Sequence, residues 1–265
     1  MRILVTNDDG VAAPGLAIAE RIAEEIARES AGDRGEVWVA APAFEQSGVS
    51  HAISFTSPVK VEQLAERRFA VSGTPADCVI LAVHDFMADA PPDLVISGVN
   101  RGHNVAEDAV YSGTVGGAIE AALQRTKGIA LSQYYRRPAS GETPADMFDA
   151  AAKHGAAAVR KLLAFDWAPD QFFNVNFPPV PGSAVRGFRF APQGRRARGA
   201  FGAEARTSPG GRSYFWIAHR MDNLSAGPDA DSTLCAEGWA TITPMRPDYT
   251  DVAALEAAIA SDGDA

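Results

Sequence analysis

The sequence predicts an α/β fold built on a doubly wound, mostly parallel sheet. Short apolar runs alternate with stretches of helical periodicity from the first residues to about Pro178. Polar, glycine-rich segments follow those runs, at the strand ends where open α/β sheets bind ligands. After Pro178 the alternation stops and an Arg- and Gly-rich segment begins.

Each element has its own signal. Arg2 to Thr6 (RILVT) is a buried strand, and Pro14 to Glu29 spaces Leu16, Ile18, Ile22 and Ile26 for one helix face. Glu36 to Ala41 (EVWVAA) is a second strand, followed by the loop APAFEQSG. Ala52 to Glu62 and Arg68 to Val71 read as a β-hairpin. Thr74-Pro75-Ala76-Asp77 is a helix start: Thr at the N-cap, Pro at the first position, Asp facing the dipole. That helix runs to about Met87.

Asp93 to Ser97 is a third core strand, followed by the polar loop GVNRGHNVAEDAVYSG and a small-residue helix over Thr114 to Gln124. Gly128 to Gln133 and Phe172 to Phe177 are further strands, with a long helix over Pro144 to Ala164 between them. Val185 to His219, with β-like ends FRFAP and SYFWIAH, reads as an extended hairpin arm. Gly238 to Pro244 is a late strand and Val252 to Ala260 a terminal helix. The expected division is a core over residues 1–180 and, over 181–265, the arm, a late strand returning to the core and a helix.

Composition narrows the function. The 265 residues carry a net charge of -9, so most of the surface repels a polyanion, which argues against general nucleic-acid binding. Cys78 and Cys235 show neither CxxC nor His-pair spacing, so no zinc site or disulfide scaffold is expected and a reduced cytoplasmic setting fits. Asp8 and Asp9 interrupt the N-terminal apolar run, so no signal peptide is expected, and no apolar run is long enough to span a membrane.

The loops after the strands carry the chemistry. Asn7, Asp8, Asp9 and Gly10 follow the first strand; Gln46, Ser47 and Gly48 the second. Ser97, Gly98, Asn100, His103 and Asn104, then Tyr111, Ser112, Gly113 and Thr114, follow the third. Parallel topology gathers them on one edge. Adjacent carboxylates repel, and a divalent cation would keep both ionised. Carboxylate, hydroxyl and amide oxygens suit Mg²⁺, Mn²⁺ or Ca²⁺. A cap role at a turn accounts for one Asp more readily than for two. Ser112-Gly113-Thr114 opens a helix, where unpaired N–H groups make an anion pocket, and a helix cap uses the same geometry. A metal beside such a pocket points to phosphoester hydrolysis.

These residues resemble the SurE family of metal-dependent survival-protein nucleotidases. The motifs are NDDG at 7–10, QSG at 46–48, GTPADCV at 73–79, SGVNRGHN at 97–104, YSGTVGGA at 111–118 and NVNFP at 174–178. The resemblance runs from Met1 to about Pro244. It implies a three-layer Rossmann-like core, with a hairpin arm and C-terminal segment used for oligomerisation. It implies hydrolysis of nucleoside 5′- and 3′-monophosphates, and in some members trimming of short polyphosphate. By the same resemblance, one divalent cation per subunit, Mg²⁺ or Mn²⁺, falls to Asp8, Asp9, Ser47 and Asn100, with Asp8, Asp9 and Asn100 catalytic. Phosphate contacts fall to Gly48, Asn104, Ser112, Gly113 and Thr114. The implied partners are a nucleoside monophosphate and further copies of the chain, as homodimer or homotetramer. Glu45 stands where a neutral or basic residue is common, His103 where small residues are frequent, and STLCAEGWATITP departs from the family's tail pattern.

Other readings compete. His103 and His51 are candidates for a general acid, against ordinary loop histidines; Asp108 reads as a solvated or supporting carboxylate. An aspartyl-nucleophile phosphatase would want a second Asp two positions after the first, and position 10 is Gly. A phosphoacceptor receiver would need an Asp after a later strand. Arg186, Arg189, Arg195, Arg196, Arg198, Arg206 and Arg212, with nearby aromatics, could form an RNA-binding arm; the acidic chain favours an oligomerisation arm. No motif marks a base pocket.

Overall fold

A computed structural model describes residues 1–136, 144–196, 201–219 and 227–262. A nine-stranded sheet forms the middle layer. Its first strand β1 (Arg2–Thr6) lies between β2 (Glu36–Pro42) and β5 (Leu94–Arg101), parallel to both. Ile3, Leu4 and Val5 are fully buried because both faces of this central strand are covered. The sheet continues from β2 to β4 (Arg68–Val71) and β3 (Val61–Ala65), and from β5 to β6 (Lys127–Gln133) and β7 (Phe172–Phe177). All these pairings are parallel except β3 with β4.

Helices cover both faces, giving three layers. On one face lie α1 (Pro14–Ala31) and α5 (Asp149–Leu163), whose apolar stripes bury Leu16, Ile22, Ile26, Val159 and Leu162 in the larger core. On the other lie α2 (Pro75–Leu81) and α4 (Gly113–Leu123), with the short α3 (Asp108–Tyr111) leading into α4. Gly15 lets α1 cross β5 closely: a Cβ there would sit 1.9 Å from the Val99 carbonyl oxygen.

The N-cap of α2 forms as the sequence predicts. Asp77 N–H donates to Thr74 Oγ1 (3.2 Å) and Thr74 N–H donates to Asp77 Oδ2 (2.8 Å). The same pair explains a difference from expectation. Residues 52–60 form no strand, because Thr74 Oγ1 donates to the Ala52 carbonyl and Ser54 N–H donates to Asp77 Oδ1. Those two backbone groups are held by a helix cap, and the strand that pairs with β4, β3, overlaps the expected one only at Val61 and Glu62 and runs on to Ala65.

At the far end of the sheet, β11 (Ala240–Met245) runs antiparallel to β7, and β8 (Phe188–Phe190) runs parallel to β11. The FRF segment therefore edges the main sheet. The hairpin itself is a separate ribbon of β9 (Phe201–Thr207) and β10 (Ser213–His219). α6 (Asp231–Ala236) is short, and the last described element is α7 (Val252–Asp262), every residue of which is exposed. Arg198 lies outside the described residues. Cys78 and Cys235 are unbonded and buried. Among the described residues no helix is long and apolar enough to cross a membrane.

Candidate active site

The carboxyl edge of the parallel strands gathers the polar loops. β1 ends in a turn closed by Asn7, whose Nδ2 donates to the Gly10 carbonyl at 3.0 Å. Gly10 adopts φ +101°, a conformation glycine tolerates without strain. Gln46 N–H donates to the Asp8 carbonyl at 2.7 Å, stitching the loop after β2 to the loop after β1.

The two aspartates face different neighbours. Asp8 is 4% exposed, and its Oδ1 accepts a hydrogen bond from Thr114 Oγ1 at 2.5 Å. Asp9 is half-buried, and its Oδ2 accepts from the Arg101 N–H at 2.9 Å. Gly113 makes the contact with α4 possible: a Cβ there would meet Asp8 Cβ at 2.9 Å and Oδ2 at 3.2 Å. Ser112 caps α4 by accepting from Val115 N–H at 3.1 Å. Asp8, Ser112, Gly113 and Thr114 are thus one contiguous group, joined across 106 positions of sequence.

Electrostatics set this group apart. Burial pushes Asp8 up to about 6; the Thr114 hydroxyl works against that shift and the Asp9 charge adds to it. Asp9 is also raised, mainly by burial, with the Arg101 N–H and guanidinium opposing and Glu45 adding. A buried and a half-buried carboxylate side by side repel each other unless a proton or a cation neutralises their charge. Their oxygens, with the Asn100 amide and the Ser47 hydroxyl, are hard donors of the kind that hold Mg²⁺ or Mn²⁺. The donor set fits such a cation. Among the described residues no group of three or more His, Cys, Asp or Glu is arranged to hold a metal, so the fit depends on the neutral oxygens as well as the aspartates.

The remaining expected residues are placed less directly. Ser47 is exposed, and its Oγ donates to Glu45 Oε1 at 2.8 Å rather than to either aspartate. Asn100 sits near the end of β5, with Nδ2 donating to the Gly102 carbonyl at 3.0 Å. Gly48 has φ +76° and open space where a Cβ would be. Asn104 is buried in a network of its own. Its N–H donates to Asn176 Oδ1 (2.7 Å), its Nδ2 donates to Ser132 Oγ (2.8 Å), and its carbonyl accepts from Asn174 Nδ2 (2.7 Å).

The histidines are both engaged. His51 pairs with the buried Glu120 at 2.7 Å. The His103 side chain is buried, stacked on Tyr134 with ring centroids 4.1 Å apart and 3.4 Å from Asp108. It is not a loose loop histidine. Asp108 is not solvated either: Arg196, whose side chain is 0% exposed, grips it bidentately at 2.9 and 2.6 Å. This ion pair ties the segment leading to the hairpin onto the loop that carries Ser112. Tyr111 meets Phe201 edge-on at 4.9 Å beside it.

Two cavities flank the edge. One of about 420 Å³ has Asp9, Phe44, Glu45, Arg101, Met147 and Phe148 in its wall. The other, about 680 Å³, touches Ser50 and Ser112 but neither aspartate; it runs between α4 and β11, past Ile119, Phe172 and Met245. The smaller cavity therefore adjoins Asp9, and the larger adjoins the helix start at Ser112. Phe44, Arg101, Met147 and Phe148 are wall residues that sequence reasoning missed; Phe44 lies in the loop just before QSG and Arg101 within SGVNRGHN.

A doubly wound α/β sheet with a carboxylate pair and a helix start meeting at its carboxyl edge defines a Rossmann-like class that keeps its chemistry there. Comparison with known proteins narrows the class. The family model described as survival protein SurE matches residues 3–200. The chain is 50% identical over 262 residues to a protein named 5′-nucleotidase SurE from Ruegeria pomeroyi, covering 97% of this chain and 98% of that one. It is 52% identical over 266 residues to one of the same name from Cereibacter sphaeroides, covering 98% and 100%. The crystal structure of the SurE protein from Aquifex aeolicus superposes with a TM-score of 0.79 at 31% identity, covering 97% of this chain and 98% of that one. The chain belongs to the SurE family.

Proposed function

We infer that the protein is a 5′-nucleotidase, and propose that it is a metal-dependent phosphomonoesterase acting on nucleoside 5′- and 3′-monophosphates, with short-chain polyphosphate as a further substrate. The observation that carries this reading is the Thr114–Asp8 hydrogen bond, with Gly113 against Asp8. It joins a carboxylate pair to the start of a helix, so a cation and a phosphate would share one wall.

Asp8, Asp9, Ser47 and Asn100 would hold one Mg²⁺ or Mn²⁺; Ser47 joins by turning from Glu45. Such an ion, when bound, polarises a phosphoryl oxygen and makes water acidic enough to attack near neutral pH. The chain's own groups do the rest. The first N–H groups of α4, with that of Thr114 among them, orient the phosphate, while the Thr114 hydroxyl gives its one proton to Asp8; Gly113 and Gly48 allow close backbone approach. Ser112 fixes the helix start and has its own O–H to donate. Asn104 acts on phosphate chiefly by shaping the loop, since Ser132 and Asn176 already engage it. Asn100 helps to align substrate and water.

The same reading includes assembly as a homodimer or homotetramer through residues 181–265. Exposed apolar side chains on β10 and α7 support it: Phe215, Trp216, Ile217, Leu255 and Ile259. An RNA-binding arm is less well supported, because Arg196 is buried against Asp108 and Arg206 pairs with Glu204. Two buried, unbonded cysteines support a cytoplasmic setting.

The test is a double variant, Asp8→Asn/Asp9→Asn. Its turnover of adenosine 5′-monophosphate with Mn²⁺ should fall at least about a thousandfold, on the scale of losing charge stabilisation of the transition state. Wild-type, EDTA-sensitive activity in that variant would overturn the proposal.

A further inference from the structure

The cavity beside Asp9 has a form the sequence does not foretell. Its volume of about 420 Å³ lies within the range of small-molecule sites. Met147 and Phe148 are both buried and floor it together with the first turn of α1. Phe44 stands on the rim and is 76% exposed. A large aromatic left so open forgoes most of its burial free energy unless something covers it.

The neighbours of Phe44 make that cover specific. Glu45 and Arg101 also line the cavity; their closest atoms are 4.0 Å apart, and each side chain is more than half exposed. Carboxylate and guanidinium are too loosely paired to satisfy each other, so both present hydrogen-bonding groups at the rim. The backbone that carries Phe44 is anchored nearby: the Gln46 N–H, two residues on, is bound to the Asp8 carbonyl. A ligand that suits this wall is flat and aromatic, with donors and acceptors along its edge.

We propose that this cavity receives the nucleoside part of the substrate, with the base stacked on Phe44 and its polar edge met by Glu45 and Arg101. The inference rests on the phosphohydrolase reading of the adjoining edge and adds the site that selects a nucleotide over other phosphate esters. The larger cavity reaches Ser112 but touches neither aspartate, so it suits the role less well.

The full chain, assayed with Mn²⁺ on adenosine 5′-monophosphate and on glycerol phosphate, tests this. In Phe44→Ala the ratio of kcat/KM for the nucleotide over the base-free ester should fall about tenfold, the size of one lost stacking contact. The fall should appear in KM rather than kcat, and Phe44→Trp should restore it. An unchanged ratio would overturn the proposal. Ligand-observed NMR with adenosine alone separates this inference from the catalytic one. Adenosine should bind the Asp8→Asn variant, whose altered side chain lies outside the cavity wall, as it binds wild type, and binding should be lost in Phe44→Ala. If wild type hydrolyses neither ester, the phosphohydrolase reading fails, while the adenosine result still decides the cavity. Adenosine binding equally well to Phe44→Ala would sink the proposal whatever the kinetics show.

Discussion

Along the carboxyl edge of the parallel strands, polar side chains are buried: Asp8, Thr114, Asn104, Asp108 and, packed against them, Asp231. On the hairpin and terminal helix, apolar side chains are exposed: Phe215, Trp216, Ile217 and Ile259. Each region inverts the ordinary partition of side chains between core and surface. The first keeps its buried groups because hydrogen bonds and ion pairs satisfy most of what water would have supplied. The second keeps its exposed groups at little cost to the monomer, since an uncovered side chain strains nothing. A buried polar group points to chemistry at that place; an exposed apolar row points to another surface.

The sharpest way to break this contrast is at the buried end. Arg196→Ala would leave Asp108 in the interior without its guanidinium, at a cost of about 3–5 kcal/mol. The measurement is the urea midpoint of unfolding. Arg196→Met combined with Asp108→Leu should recover most of the loss, and a midpoint unmoved by Arg196→Ala would mean that the pair is solvated.

A smaller effect comes from Asp8. Its folded pKa of about 6 lies above the ordinary 3.8, so the folded chain holds that proton more tightly than the unfolded chain does. The contribution to stability is full below about pH 4 and is lost as pH rises through 6. In EDTA at pH 8, Asp8→Asn should therefore be more stable than wild type, by up to about 3 kcal/mol. Near pH 3.5 the two should converge. Thermal melts across that range check the sign, and a less stable Asp8→Asn at pH 8 would reverse it.

The smallest effect sharpens the other side. Phe215→Ser/Trp216→Ser should change monomer stability by no more than about 0.5 kcal/mol, as surface substitutions usually do. It should nevertheless shift sedimentation toward smaller species. Unaltered sedimentation would remove the hairpin from the assembly.

The sequence is most informative where a residue's neighbours are local. Apolar runs long enough to be buried on both faces give the parallel strands, and Thr74 with Asp77 gives a helix cap three residues apart. The acidic pair, QSG and the helix start after YSG are legible because parallel topology brings strand ends to one edge. What is not legible depends on partners far along the chain. Asn104 is expected at phosphate, yet Asn174 and Asn176 lie 70 and 72 positions away and claim its backbone. Arg196 is one of several arginines in a basic stretch, and only folding puts it opposite Asp108, 88 positions earlier. Residues 52–60 have the β-like composition of a strand, but Ala52 and Ser54 give backbone groups to a helix cap. The FRF segment shows no sign that β11 will offer it a sheet edge.

The separateness of the β9–β10 ribbon has a consequence for hydrogen exchange. Among the described residues its strands pair only with each other, from Ser213 with Thr207 to His219 with Phe201, so the ribbon can open without breaking a bond of the nine-stranded sheet. Its amides can therefore exchange with deuterium through local opening, whereas those of β1, flanked by strands on both sides, must wait for the core to open with them. In that ordering the ribbon is a cooperative unit of its own, hung on the core through the buried Arg196 and the Tyr111–Phe201 contact.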